Sequence, residues 1–209
     1  MRNFVIGLGH YSRTGKDTLA NYIVEELAIL APGLTVRKRS FAQKLKEVAH
    51  DLYGWCGLQD ADFYNVKENE HLRQEKLPNI DLTPVEVWCK LGTDAVRNQV
   101  YQNTWSDYLV RNLDDNSAVV IPDVRFPNEV EAIRSVEGVL VKVVRPGYEP
   151  LNTTADQALA DYDGWDYVVG QSGELSELRD FAGRISLEAV MRMGVCVELN
   201  ELISLTRNQ

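Results

Sequence analysis

The stretch FVIGLGHYSRTGKDTLANYIVEELAIL, residues 4–30, constrains the fold more than any other part of the chain. Phe4, Val5 and Ile6 form a continuous apolar run that stops at Gly7 and Gly9, as a buried parallel strand does where it enters a loop. After GKDT, residues Leu19, Ile23, Leu27 and Leu30 recur at helical spacing until Pro32-Gly33 breaks the pattern. A loop joining a strand to a helix N-terminus presents backbone N–H groups at the positive end of the helix dipole, and so suits an anion. The alternative is an ordinary strand–loop–helix junction that carries a Gly-Lys pair by chance.

The loop departs twice from the phosphate-binding pattern Gly-x4-Gly-Lys-Ser/Thr. His10 occupies the place of the leading glycine, and Asp17 that of the hydroxyl residue. Glycine is favoured at such a turn because it tolerates positive φ, so Gly9 is expected to take over as pivot and make the loop one residue longer. Gly15 lets the backbone approach a phosphate, and Lys16, read as an exposed loop lysine, can reach the β- and γ-phosphates of a nucleotide. Asp17 can hold magnesium through oxygen, directly or through water, or Thr18 can do so.

The rest of the chain alternates strand and helix patterns. A second strand over 35–41 is polar enough for a sheet edge, and a helix through Leu45, Val48, Ala49 and Leu52 ends near Gly54. Residues 56–81 are polar and irregular and read as a solvated helix or mobile segment. Thr83-Pro84-Val85-Glu86 is a capped helix start with proline at the first position, opening a helical region to about Leu113 that is interrupted near Gly92. Strands follow at Val119–Ile121, Val139–Val144 and Tyr167–Val169, with helices through Val130 and Ile133 and over Leu175–Val190. This order predicts an α/β fold, a parallel sheet with helices on both faces, in a single domain over 1–209 with a helical region at about 54–113.

Charge excludes one class of partner. With 22 basic and 31 acidic residues the net charge is −9, the wrong sign for a long footprint on a nucleic-acid polymer. Cys56, Cys89 and Cys196 show neither disulfide nor zinc spacing and fit a reducing cytoplasm. The N-terminal apolar run is too short for a signal peptide, and no stretch has the length of a membrane span.

Several blocks together resemble the bacteriophage deoxynucleoside monophosphate kinases, a branch of the P-loop nucleoside monophosphate kinase superfamily. RTGKDT (13–18) is similar to the family's RSGKDT, in which Asp follows the lysine; His10 departs from the family's usual glycine. FAQKLKEVAHDLYG (41–54), KLGTDAVRNQVYQNTW (90–105), VIPDVRFPNE (120–129) and VKVVRPG (141–147) match in order, so the resemblance spans roughly positions 4–180. It implies a P-loop kinase fold that uses ATP and Mg2+ to phosphorylate a deoxynucleoside monophosphate, and it allows a homodimer. It assigns Arg13, Gly15, Lys16, Asp17 and Thr18 to ATP and its metal. Leu45, Lys46, Gly92, Thr93, Asp94, Arg97, Trp105, Asp123, Arg125 and Glu129 go to the acceptor. Lys16, Arg13, Asp123 and Arg125 are the catalytic set. Thr153 and Asp156 stand where the family often has a His and a Glu, so the role of that His does not carry over. The interval between Arg145 and Arg179 contains no Lys or Arg, which excludes an arginine-rich lid of the adenylate-kinase kind.

Each residue also has a plainer reading. Asp123, at the carboxyl end of a strand where ligands bind in open α/β sheets, could hold magnesium, orient Lys16, contact the acceptor or simply cap the next helix. Arg125 could grip a phosphate with two N–H donors or pair with Glu129 one turn on. Arg13 and Lys46 could be solvated, Asp94 and Arg97 could be ordinary helix-surface charges, and Trp105 could stack on a base or fill the core beside Leu109 and Leu113. Two other functions share the loop and sheet: another small-molecule kinase, such as one acting on dephospho-coenzyme A, and a nucleotide-binding module without an acceptor.

Overall fold

A computed structural model describes residues 3–11, 13–147, 157–170 and 175–194. The chain forms two compact units, one of Met1–Ser40 with Val110–Gln209 and one of Phe41–Leu109.

The first unit holds a five-stranded parallel sheet of β1 (Phe4–Gly9), β2 (Thr35–Lys38), β3 (Ser117–Val124), β4 (Val139–Val144) and β5 (Tyr167–Gly170), in the order β2-β3-β1-β4-β5. Among the described residues its helices are α1 (Lys16–Leu30), α6 (Pro127–Ser135) and α7 (Leu175–Met193). All six residues of β1 are buried, which explains its unbroken apolar run. Phe4, Ile6 and Leu8 join the main core with Leu19, Ile23 and Leu27 of α1 and Leu178, Phe181 and Ile185 of α7. The alternate residues face α6: a Cβ on Gly7 would lie 2.5 Å from Cδ1 of Ile133. Helices therefore cover both faces, as the alternating pattern predicts. The polar strand β2 is indeed at an edge.

The second unit is helical, with α2 (Gln43–Tyr53), α3 (Ala61–Asn65), α4 (Pro84–Cys89) and α5 (Thr104–Arg111). The Thr83 hydroxyl accepts from Glu86 N at 3.2 Å and the Glu86 carboxylate from Thr83 N at 2.8 Å, the reciprocal cap that the sequence announces. Two expectations need correction here. Residues 56–81 are not simply solvated: Cys56, Leu58, Tyr64 and Leu77 are buried with Ala49 and Val87 in a core of their own, while Lys67–Gln74 forms a 3-10 turn with no buried residue. Nor is the helix interrupted at Gly92. From Lys90 to Arg97 it widens into a π-helix that runs on from α4, and the break falls instead near Tyr101. Among the described residues no helix is long and apolar enough to cross a membrane.

Candidate active site

The loop from His10 to Gly15 closes around its own lysine. Lys16 is 7% exposed, and its Nζ donates to the carbonyl of His10 at 3.1 Å and to that of Tyr11. It is thus a buried lysine rather than an exposed one, with its ammonium held inside the turn by backbone oxygens. Thr14 is buried and its hydroxyl also donates to Tyr11 O, at 3.0 Å. Gly15 precedes α1 in the left-handed conformation, φ 97° and ψ 14°, where a side chain would be strained.

The pivot is His10, not Gly9. His10 itself holds φ 97°, Arg13 holds φ 63°, and Gly9 is not at positive φ. The loop therefore keeps the standard length, with histidine in the glycine position. The His10 ring stacks on Tyr11 at 3.8 Å between centroids. Gly9 is required for another reason: a Cβ there would lie 2.2 Å from Cη2 of Trp165. Two non-glycine residues at positive φ within four positions mark backbone strain at this turn, the kind of strain that clusters at functional sites.

Strand register places the acidic residue of β3 beside the loop. Gly9 pairs with Val124, the last residue of β3, so Asp123 lies one residue before the strand end, close to the point where β1 enters the turn. Asp123 is half-buried, and its Oδ2 accepts the Ser40 hydroxyl at 2.6 Å. Arg125, two residues on, is exposed. Its guanidinium makes no ion pair among the described residues, so the pairing with the Glu129 side chain is overturned. Glu129 is buried and serves the backbone instead: its Oε2 accepts from Arg125 N at 2.7 Å and Phe126 N at 3.0 Å. A negative charge there also complements the N-terminus of α6. The effect is to fix the main chain that carries Arg125 while leaving its side chain to solvent.

Asp17 is exposed, with Lys38 Nζ at 3.5 Å from its Oδ1; Lys38 also donates to Asn21 Oδ1 at 3.0 Å. Thr18 is half-buried in the first turn of α1, and Arg13 is exposed. Among the described residues no group of three or more His, Cys, Asp or Glu side chains could hold a metal on its own.

The remaining sequence-predicted residues lie in the helical unit. Leu45 and Gly92 meet closely, since a Cβ on Gly92 would be 2.3 Å from Leu45 Cδ2. Lys46 Nζ sits 5.0 Å from the centre of the Trp88 ring, in cation–π contact. Thr93 and Asp94 are exposed on the π-helix, and Arg97 at its end is half-buried. Trp105 is half-buried, and its Nε1 donates to Gly92 O at 3.1 Å. The indole thereby ties α5 to the widened turn. Thr153 and Asp156 lie outside the described residues. Sequence reasoning missed Ser40 and Lys38. Their one legible signal is their place at the carboxyl end of β2, the edge of a parallel sheet along which ligand sites form.

The family model described as "Deoxynucleotide monophosphate kinase" matches residues 86–181, a span that takes in the π-helix, Trp105, Asp123, Arg125 and Glu129. A "Putative deoxynucleotide monophosphate kinase" of Acanthamoeba polyphaga mimivirus is 25% identical over 189 residues, 83% of this chain and 91% of that protein. The "Deoxynucleotide monophosphate kinase" of Enterobacteria phage T4 is 30% identical over 93 residues, 42% of this chain and 39% of that protein. The "Deoxynucleoside-5'-monophosphate kinase" of Escherichia phage T5 is 23% identical over 193 residues, 67% of this chain and 77% of that protein. The mimiviral match covers 83% of this chain and 91% of that protein, and the family match takes in Asp123 and Arg125, so this chain is similar to the deoxynucleotide monophosphate kinases.

Proposed function

We propose that the protein transfers a phosphoryl group from ATP to a deoxynucleoside monophosphate, giving ADP and a deoxynucleoside diphosphate. The observation that carries this reading is the strained loop at the start of α1, closed on Lys16, with Asp123 and Arg125 at the end of the neighbouring strand, in a chain whose relatives are deoxynucleotide kinases.

In this reading the loop amides and Lys16 hold the ATP phosphates. An incoming phosphate would replace the His10 and Tyr11 carbonyls as partner of the ammonium, exchanging neutral acceptors for charged ones. Arg125 is the cation for the acceptor phosphate, offered by a backbone that Glu129 holds still. Arg13 balances charge on the group in flight, and Leu45, Lys46, Gly92, Thr93, Asp94, Arg97 and Trp105 serve the acceptor. Transfer of this kind depends on positioning and charge neutralisation and needs no covalent enzyme intermediate. Exposed Asp17 and the adjoining Thr18 fit a magnesium ion that arrives on the nucleotide phosphates rather than in an all-protein cage; bound there, it would neutralise phosphate charge. The phage and viral sources of the relatives support a role in the cytoplasm of an infected cell.

The test is a coupled ADP-release screen with ATP, magnesium and each deoxynucleoside monophosphate, run beside dephospho-coenzyme A and shikimate. Release is expected with at least one monophosphate and to be weaker with the other two acceptors. Turnover with dephospho-coenzyme A alone would reassign the acceptor, and tight ATP binding that no acceptor turns into ADP release would make the protein a nucleotide-binding module.

A further inference from the structure

Ser40 stands just beyond β2 and has no part in the sequence-derived site, yet its hydroxyl makes a side-chain hydrogen bond to Asp123. Its hydroxyl donates to Oδ2 at 2.6 Å, the short range of an O–H donor on an ionised carboxylate. The backbone that presents it is held firmly. Arg39 N donates to Val120 O at 2.9 Å, so the β2–β3 ladder continues one residue past the strand and ends immediately before Ser40. Two positions earlier Lys38 reaches Asp17. The exit of the edge strand thus touches both carboxylates assigned to the site, Asp17 on α1 and Asp123 on β3.

We propose that Ser40 is a positioning residue for Asp123. A carboxylate at a strand end can rotate about its last torsion; a donor fixed by the sheet holds its plane and aims it beside the loop. The effect reaches the reaction only through Asp123, and it rests on the reading of Asp123 as a site residue.

Four proteins test it: Ser40→Ala, Ser40→Thr, Asp123→Asn and the double variant Ser40→Ala/Asp123→Asn. Each is measured for kcat/KM against the accepted deoxynucleoside monophosphate, for ATP affinity by equilibrium titration, and for thermal unfolding. Loss of a hydrogen bond to a charged group should lower kcat/KM about tenfold or more in Ser40→Ala. ATP affinity should hold, and Ser40→Thr, which keeps the hydroxyl, should stay near the parent. In the Asp123→Asn background Ser40→Ala should cost little further, because residues that act as one unit are not additive. Equal losses in both backgrounds would overturn the proposal. So would parent-like kinetics of Ser40→Ala beside an impaired Asp123→Asn, whether or not the melting temperature falls, since the bond would then only stitch β2 to β3. If Asp123→Asn folds and is fully active, the assignment of Asp123 to the site fails and the role of Ser40 fails with it.

Discussion

Replacing Gly9 with alanine isolates the reason for a glycine at the mouth of the loop. The added methyl would lie 2.2 Å from Cη2 and 2.7 Å from Cζ3 of Trp165, with Val124 O at 3.1 Å behind it. The carbonyl belongs to the sheet and cannot give way, so the indole must. That ring is held by its Nε1–H bond to Tyr162 O at 2.8 Å and by an edge-on contact with Tyr162 at 5.2 Å. Overpacking costs about 1–3 kcal/mol, and loss of the indole hydrogen bond adds about 1 kcal/mol, for a total of roughly 2–4 kcal/mol. For a chain of this size that is a fall in melting temperature of roughly 5–15 °C. Denaturant unfolding of Gly9→Ala, Trp165→Leu and the double variant forms the assay. Because Trp165→Leu removes the atoms the methyl would strike, the two changes should couple by about 1–2 kcal/mol in the favourable direction. A pivot glycine would lose the same stability whether or not Trp165 is present. Strict additivity, or a loss under about 0.5 kcal/mol in Gly9→Ala, would refute the packing argument.

Three further outcomes follow from the site. Arg125→Lys offers a compact charge in place of a planar fork, so kcat/KM for the monophosphate should fall about a hundredfold, roughly 3 kcal/mol, with ATP binding by titration nearly unchanged. Trp105→Phe deletes the donor to Gly92 O and should destabilise the helical unit by about 1 kcal/mol in denaturant unfolding while raising the KM of the monophosphate; an unchanged KM would leave Trp105 as packing alone. The Glu86 carboxyl is held below the usual carboxylate range, first by the Thr83 backbone N–H and next by the Thr83 side chain. A lowered folded value means that this cap contributes fully above the unfolded carboxyl range and fades as pH falls through the folded value. Glu86→Gln should therefore flatten the acid limb of the unfolding midpoint against pH, and an unaltered slope would remove the cap as its cause.

The local pattern of the chain determined most of what is periodic or adjacent. The run from Phe4 to Gly9 and the repeat of Leu19, Ile23 and Leu27 specify a buried strand and an amphipathic helix, because burial on a pleat and on a helix face selects residues at fixed spacings. The Thr83–Glu86 cap was legible for the same reason, its partners being one turn apart. Tertiary structure alone decided the roles of residues that had two candidate physical reasons. A glycine is required either for positive φ or for want of a Cβ, and only the approach of Trp165 shows that Gly9 is of the second kind and that His10 turns the chain. Glu129 had a side chain and a main chain within reach, and took the backbone N–H groups. Trp105, 13 residues from Gly92, ties α5 to a π-turn that helical spacing does not announce. Ser40 and Asp123 are 83 residues apart, and their hydrogen bond exists because β2 lies against β3; no local propensity encodes which strand will be the neighbour.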